Sequence, residues 1–565
     1  MSQKRTITFN DLKSSNEKVH LMSLGGLGEI GMNCQLFECN GEFMLIDCGQ
    51  MMPDEEMLGV DSVIPDITFL EGAKERLKGI VLTHAHEDHI GALPYVLPKF
   101  PNVPVYGTEL TVEIVREKLK EHRVNPNFIK IYPREPFKVG EQFVLEPISV
   151  THSMIDTVGF AIKTPVGVII HTGDFKIDPH PPDGVAFDHY AFASYAESED
   201  GVLLLMSDST NVGRTGSCPS EMEVVPGIER LMREATGAMI ISTFASSLHR
   251  IQTVLNIAAR NGKKVVSMGL NMERNIRIAN KLGAITIPCE YYSHPREVAN
   301  VKRKDLVILC TGSQGEPMSS LSKISNNTHR DFRVQEGDLV VFSARMIPGN
   351  ERPIYRMMNQ LARLGAKVVS ERNALIHVSG HGYRDDMKHM INLTDPKFFV
   401  PLHGEYRHLR DHCKLAQEQG LAPEETLLLE NGDCLELRKG VARVIGQIPH
   451  GRVLVDGKGI GDVNEVIIRD RHYLSQDGML VVVIGIDHET GELLSGPELL
   501  VRGFTGGEGF EEELKNVVLQ AFEQMSTNDR TDVQTAQSTV KRALRNHIKN
   551  RNDQFPVIMT LVMEL

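Results

Sequence analysis

The 565 residues are 41% hydrophobic and 24% charged, close to the average of soluble globular chains, and at roughly 150 residues per domain they allow three or four folding units. That composition excludes disorder, collagen-like repeats and coiled coils. No run approaches the ~18 apolar residues of a membrane span and the first residues lack the apolar core of a signal peptide, so a cytoplasmic protein without a membrane partner is expected.

The eight cysteines (34, 39, 48, 218, 289, 310, 413 and 434) are scattered, form no C-x-x-C pair and sit mostly in apolar runs, which argues against both a disulfide framework and a thiolate zinc site. Net charge is −13. From Asp456 to Leu565, 11 Lys/Arg stand against 18 Asp/Glu, a net of −7, which leaves −6 for the first 455 residues. Several of those carboxylates would be neutralised by bound metal, so the acidic total does not exclude nucleic acid.

In chain order, short apolar runs (VHLMSL, NCQLFEC, FMLIDCG) open the first segment, with Asn40-Gly41 between two of them as a hairpin turn. Further strand-like runs follow (GIVLT, PVYG, FVLEPISVTH, GFAIKT, GVIIHTGD), with a helix predicted over Thr111–His122. From about residue 200, strands alternate with amphipathic helices (Ser247–Asn261, Met272–Leu282, Ile354–Leu364), the pattern of a parallel, doubly wound sheet. A Gly-rich connector, GRVLVDGKGIGD, leads to a tail read as a hairpin turning at DHETGE, helices over Phe510–Met525 and Val533–Lys549, and a last strand, PVIMTLVMEL.

The sharpest chemical signal is Leu82-Thr83-His84-Ala85-His86-Glu87-Asp88-His89, directly after the strand GIVL. In an extended segment His84 and His86 project to one side, and the following turn can bring Asp88 and His89 round beside them. Three imidazoles and a carboxylate suit Zn²⁺ or Mn²⁺. Further candidates each end an apolar run: Asp47, His152, Asp174 and His403. Strand C-terminal edges are where α/β sheets gather functional groups.

This set resembles the metallo-β-lactamase superfamily. The resemblance implies His84, His86 and His152 on one divalent metal, Asp88, His89 and His403 on a second, Asp174 bridging, and Asp47 orienting the ligands. Asp174 and His403 lie 229 residues apart in sequence, which an inserted domain explains. Met206–Asn211, Thr243–Ser246, His377–His381 and Pro401–Arg407 resemble the A, B and C motifs of β-CASP nucleases, most closely the ribonuclease J family, and the similarity runs through the whole chain. The implied fold is an α/β metallo-β-lactamase αββα sandwich with an inserted parallel β-CASP domain and a small C-terminal α/β domain. Expected boundaries are 1–210 and 375–450 for the split hydrolase, 211–374 for the insertion, 451–462 for a linker and 463–565 for the C-terminal domain.

The resemblance further implies RNA hydrolysis with two Zn²⁺ or Mn²⁺ ions, acting 5′→3′ on single-stranded RNA with a 5′-monophosphate and also endonucleolytically, in mRNA decay and rRNA maturation. His381 is the candidate general acid, oriented by Asp208. His377, Ser379, Gly380 and His381 would form a phosphate cup, with Arg345 and Ser313 as further backbone contacts. Dimers or tetramers through the C-terminal domain, and association with other RNA-decay enzymes, are expected from the same resemblance. A β-CASP DNA nuclease and a non-catalytic RNA-processing scaffold are the rival readings. Gly26-Leu27-Gly28-Glu29-Ile30-Gly31 matches a dinucleotide fingerprint literally, but a hairpin follows where a helix is required. Asp487–Glu492 lacks the ligand spacing of a calcium loop.

Overall fold

The computed structural model describes residues 4–12, 15, 17–54, 56–347, 349–457, 459–504, 506–552 and 554–565. Two compact units are present, one of residues 1–52 with 63–453, the other of 53–62 with 454–565.

In the first unit an eight-stranded sheet runs in the order Val441–Gln447, Asp433–Arg438, Val19–Gly25, Cys34–Cys39, Glu42–Ile46, Leu77–Val81, Val105–Gly107 and Phe128–Lys130. The Asn40-Gly41 turn joins two of these strands with φ of 47° and 88°, the pair of positive values a two-residue hairpin needs. A six-stranded sheet runs Phe398–Leu402, Val202–Asp208, Gly167–His171, Val158–Thr164, Phe143–Ser149 and Phe137–Val139. Side chains alternate across each strand. Leu204, Met206, Phe160 and Ile162 therefore face Leu21, Phe37, Met44 and Ile46 of the first sheet in one core, while Leu205, Ala161 and Phe399 face a second core with Phe192, Met390 and Ile391 from helices His189–Ala196 and Arg384–Thr394. That is the sandwich expected from the sequence.

Between the second sheet's strands Val202–Asp208 and Phe398–Leu402 the chain builds a separate six-stranded sheet, ordered Tyr292–Ser293, Lys264–Met268, Leu306–Cys310, Met239–Ser242, Leu339–Phe342 and Lys367–Val369. All of its ladders are parallel, and helices such as Glu351–Arg363 bury Ile354, Met357 and Leu361 against it. The insertion returns to the sandwich in register, Leu204 to Asp208 pairing with Phe398 to Leu402. This closure carries His403 to the end of the strand beside Asp208.

The second unit is built on a three-stranded sheet, Leu493–Arg502, Met479–Ile486 and Val557–Glu564. Leu480, Val482 and Ile484 pack under helices Phe510–Glu523 and Val533–Asn552, where Phe510, Leu514, Val518 and Phe522 are buried with Val540 and Leu544. The acidic turn before Glu492 is a hairpin, Asp487 Oδ1 accepting from the backbone N–H of Glu489 and Thr490. Truncating Leu514 to alanine is expected to destabilise this unit by about 2–5 kcal/mol, the range for emptying a closed core site, measured by denaturant unfolding. Strands Arg452–Asp456 and Gly459–Ile460 form within the stretch read as a linker. Among the described residues no helix is long and apolar enough to cross a membrane.

Candidate metal centre

His84, His152, Asp174, His403 and the orienting Asp47 sit just beyond strands, where the backbone has left its ladder and turned into the site, while Asp88 and His89 lie in the short helix Glu87–Ile90. Asp47 follows Glu42–Ile46 at φ 60° and His403 follows Phe398–Leu402 at φ 49°. Both are left-handed conformations that cost a non-glycine residue of order 1–3 kcal/mol and gather at functional sites. Cys48 N–H donates to the His89 carbonyl, and a Cβ on Gly49 would stand 1.7 Å from the Asp88 carbonyl oxygen. Only glycine permits this approach, which presses the loop after the first hairpin against the 84–89 segment.

The structure brings the seven predicted ligands together. One ligand atom from each of His84, His86, His152 and Asp174 lies within 4.8 Å of the others, and the same holds for Asp88, His89, Asp174 and His403. His86 Nδ1 is 3.0 Å from His84 Nε2 and 3.1 Å from His152 Nε2. Asp174 Oδ2 is 3.1 Å from His89 Nε2, while Asp174 Oδ1 is 2.7 Å from His403 Nδ1. Asp174 thus belongs to both groups. The rings are oriented from outside: His152 Nδ1 donates to the Gly380 carbonyl at 2.7 Å, His89 Nδ1 donates to Asp47 at 2.7 Å, and Thr83 Oγ1 holds His84 Nδ1 at 2.9 Å. Asp47 also accepts from the Thr83 N–H at 2.9 Å. Such outer partners fix the tautomer and turn the inner nitrogen to a cation.

Family models match in four consecutive blocks: the metallo-beta-lactamase superfamily over residues 28–207, the ribonuclease J beta-CASP domain over 236–361, a Zn-dependent metallo-hydrolase RNA specificity domain over 365–427, and the ribonuclease J C-terminal domain over 466–565. Ribonuclease J2 of Bacillus subtilis is 37% identical over 98% of this chain and 100% of its own length. Ribonuclease J of Thermus thermophilus is 38% identical over 97% of this chain and 96% of its own. The chain belongs to the ribonuclease J family. It is accordingly a metal-dependent hydrolase of the ribonuclease class. A crystal structure of an Enterococcus faecalis protein of unknown function shares the fold, with a TM-score of 0.54 and 17% identity over 74% of this chain and 100% of that one.

The donor set of this ribonuclease J family member fits divalent cations. Burial lowers His84 and His152 well below the usual imidazole range and lowers His86 to about 4, so these three present neutral nitrogens. Their inner atoms crowd at hydrogen-bond distance with few protons to share, an arrangement a cation relieves. In the second group burial pulls the other way, but the carboxylates win: Asp174 and Asp88 raise His403 to about 10, and Asp174 with Asp47 raises His89. Asp174 and Asp88 themselves stay ionised despite burial, because His403 and His89 face them. His403 Nε2, 3.3 Å from Asp88 Oδ2, is buried without an aligned hydrogen-bond partner. Both groups therefore demand positive charge, and both offer ligands hard enough for a divalent ion.

His381 Nδ1 bonds Asp208 Oδ2 at 2.7 Å and lies 3.9 Å from Asp174 Oδ2. Asp208 is held by the Thr210 N–H and Oγ1 on its other oxygen. Ser379 Oγ accepts from the His381 N–H at 3.1 Å and from Asn211 Nδ2 at 2.9 Å, and Arg345 donates to Asn211 Oδ1 at 3.0 Å. Burial, and then the charges of Arg250, Arg345, Lys176 and Arg214, keep His377 well below its usual range, although Arg250 and Lys176 are themselves paired with Glu221 and Asp178. Ser313 stands apart, meeting the Arg345 loop through Gln314, whose Nε2 donates to the Arg345 carbonyl. Sequence reading missed Asn211 and Arg214 as individual contributors. Asn211 lay within the A motif, and only the fold shows that its amide spans Ser379 and Arg345. The glycine-rich 26–31 loop makes no nucleotide fold. Leu27–Gly28 pairs in parallel with Gly404–Glu405 and so backs His403.

Proposed function

We propose that this protein hydrolyses single-stranded RNA from a 5′-monophosphorylated end, one nucleotide at a time, and also cuts internally, using two divalent cations. The observation that carries the reading is the pair of ligand groups sharing Asp174 with the His381–Asp208 dyad beside them. Two cations held there would polarise the scissile phosphate and activate water for in-line displacement. His84, His86 and His152 would hold one, Asp88, His89 and His403 the other, and Asp174 both. Zinc and manganese both suit imidazole and carboxylate donors.

The protein's own part begins with binding. The N–H groups and hydroxyl of the 377–381 loop, backed by Asn211 and Arg345, would take the terminal phosphate. As water adds to phosphorus and the P–O3′ bond breaks, the departing 3′ oxygen needs a proton. His381 would supply it from Nε2, with Asp208 fixing the ring through Nδ1. Asp208 and the Asp174 charge hold His381 above its usual range against burial, which favours the protonated ring. A homodimer or homotetramer acting in cytoplasmic mRNA decay and rRNA maturation, with other decay enzymes as partners, completes the reading.

The test is product analysis on one RNA labelled at its 3′ end and carrying either a 5′-monophosphate or a 5′-triphosphate, with His84→Ala as control. Faster release of mononucleotides from the monophosphate form, absent in the variant, is expected. No cleavage of either RNA, with metal measured in the protein, would remove the ribonuclease reading in favour of a DNA substrate or a scaffold. In the same assay Asp208→Asn and His381→Ala should lose roughly 10²–10⁴-fold in kcat, the usual contribution of a positioned proton donor. Asp208 and His381 also cluster with Asp174 and His403 within 4.8 Å, so metal content is measured in both variants, and unchanged content is what a proton-donor role predicts.

A further inference from the structure

Beside the catalytic cluster lies a cavity of about 280 Å³ that the reaction as derived above does not use. One wall is the 149–158 segment, which includes His152. The others come from the start of helix Glu109–Glu121, from Asp183 and Val185, and from the inserted part of the chain through His249, Leu282 and Ala284. At ~30 Å³ per water the space equals roughly nine waters. It lies just under the ~300 Å³ where small-molecule pockets begin, room for one planar ring system and not for a larger cofactor.

The lining selects the ligand. Leu110, Met154, Ile155 and Leu282 give apolar walls against which a flat ring can lie. The acidic groups are Glu109, Asp156 and Asp183, the last 3.1 Å from His249 Nε2. Carboxylates accept hydrogen bonds and repel phosphate, so the occupant has N–H donors and no negative charge of its own. Asp156 is held in place for this. Its φ of 66° is left-handed, Thr108 Oγ1 donates to its carbonyl at 2.9 Å, and the Leu110 N–H donates to its Oδ2 at 3.2 Å. A residue with a strained backbone, its carbonyl and its carboxylate each held by one hydrogen bond, is the kind of feature that persists when the surroundings are built to hold it.

We infer that this cavity receives one unstacked nucleobase of the RNA strand next to the bond being cut, with Asp156 accepting from a ring or exocyclic N–H of that base. The inference rests on the ribonuclease reading and adds to it a base-holding subsite distinct from the phosphate cup. Because His152 lines the cavity, the base it holds belongs to a nucleotide adjacent to the scissile phosphate. Taking the apolar faces of a base out of water against aliphatic walls is enough to change rates about tenfold.

A series of 5′-monophosphorylated RNAs, each with a single abasic residue at a successive position, tests this with the metal-loaded protein. Expected is a drop in kcat/KM of about tenfold at one position flanking the cut, and a much smaller drop elsewhere. In Ala284→Phe, which fills the cavity, that position-specific penalty should shrink to near onefold, with folding checked by Tm. A second readout needs no turnover: 2-aminopurine at the sensitive position should brighten on binding to the wild-type protein and stay quenched with Ala284→Phe. An even abasic profile, or the same profile and fluorescence in both proteins, would overturn the subsite while leaving the ribonuclease reading intact. Absence of cleavage of the unmodified RNA would overturn the ribonuclease reading itself.

Discussion

Asp174→Ala is expected to lower turnover by about 10⁴-fold, taking roughly 5–6 kcal/mol as the transition-state stabilisation that bound cations supply. The reason for choosing this residue is its place in both groups. Asp174 Oδ2 faces His89 and Asp174 Oδ1 faces His403, with His84 Nε2 at 3.8 Å and His152 Nε2 at 4.0 Å from the same carboxylate. Its loss weakens two sites at once, whereas His86→Ala touches one. Metal analysis after gel filtration should therefore show less bound cation in Asp174→Ala than in His86→Ala. A chelator should lower the Tm of the wild type, because a cation that binds only the folded state stabilises it by mass action. The same chelator should shift Asp174→Ala much less. Equal metal content in Asp174→Ala and wild type would show that the shared carboxylate is not a ligand.

Why the seven ligands and Asp47 were legible in the sequence, and others were not, follows from chain geometry. His84, His86, Asp88 and His89 fall within six consecutive positions, and their spacing alone places them round one point. Asp47, His152, Asp174 and His403 each end an apolar run, so the strand pattern located them. The Ser247–Asn261 and Ile354–Leu364 helices were visible through their apolar stripes, and the structure shows them as Leu248–Arg260 and Glu351–Arg363. Helices Arg384–Thr394 and Tyr406–Glu418 were not resolved from sequence, because their apolar residues are few and their starts run straight out of site loops. Least legible was the wiring between distant segments. Nothing local in Asn211 announces that it meets Ser379, 168 residues away, and nothing in Arg250 announces a buried charge, since an arginine on an amphipathic helix usually points to water.

Arg250 is nevertheless the side chain whose loss should most damage the fold of the first unit. It is 1% exposed. Its guanidinium forms a two-point pair with Glu221 at 2.6 and 3.0 Å and donates to Ser343 Oγ at 2.6 Å and the Ile376 carbonyl at 2.7 Å. Ser343 precedes the Arg345 loop and Ile376 precedes the 377–381 loop, so one side chain ties the roots of both arms of the proposed phosphate cup. Breaking a buried pair leaves the other charge uncompensated, which costs about 3–5 kcal/mol. Arg250→Met should therefore lower stability by that amount in denaturant unfolding, and Arg250→Lys should lower it nearly as far, since an ammonium cannot make the forked contact. Removing both charges with Arg250→Met and Glu221→Gln together should recover part of the loss, because no lone carboxylate is left buried. Activity separates the structural role from the positional one. At temperatures where Arg250→Met is still folded, a raised KM for 5′-monophosphorylated RNA with little change for 5′-hydroxyl RNA would show that the network sets the cup. An equal change for both would confine Arg250 to holding the fold.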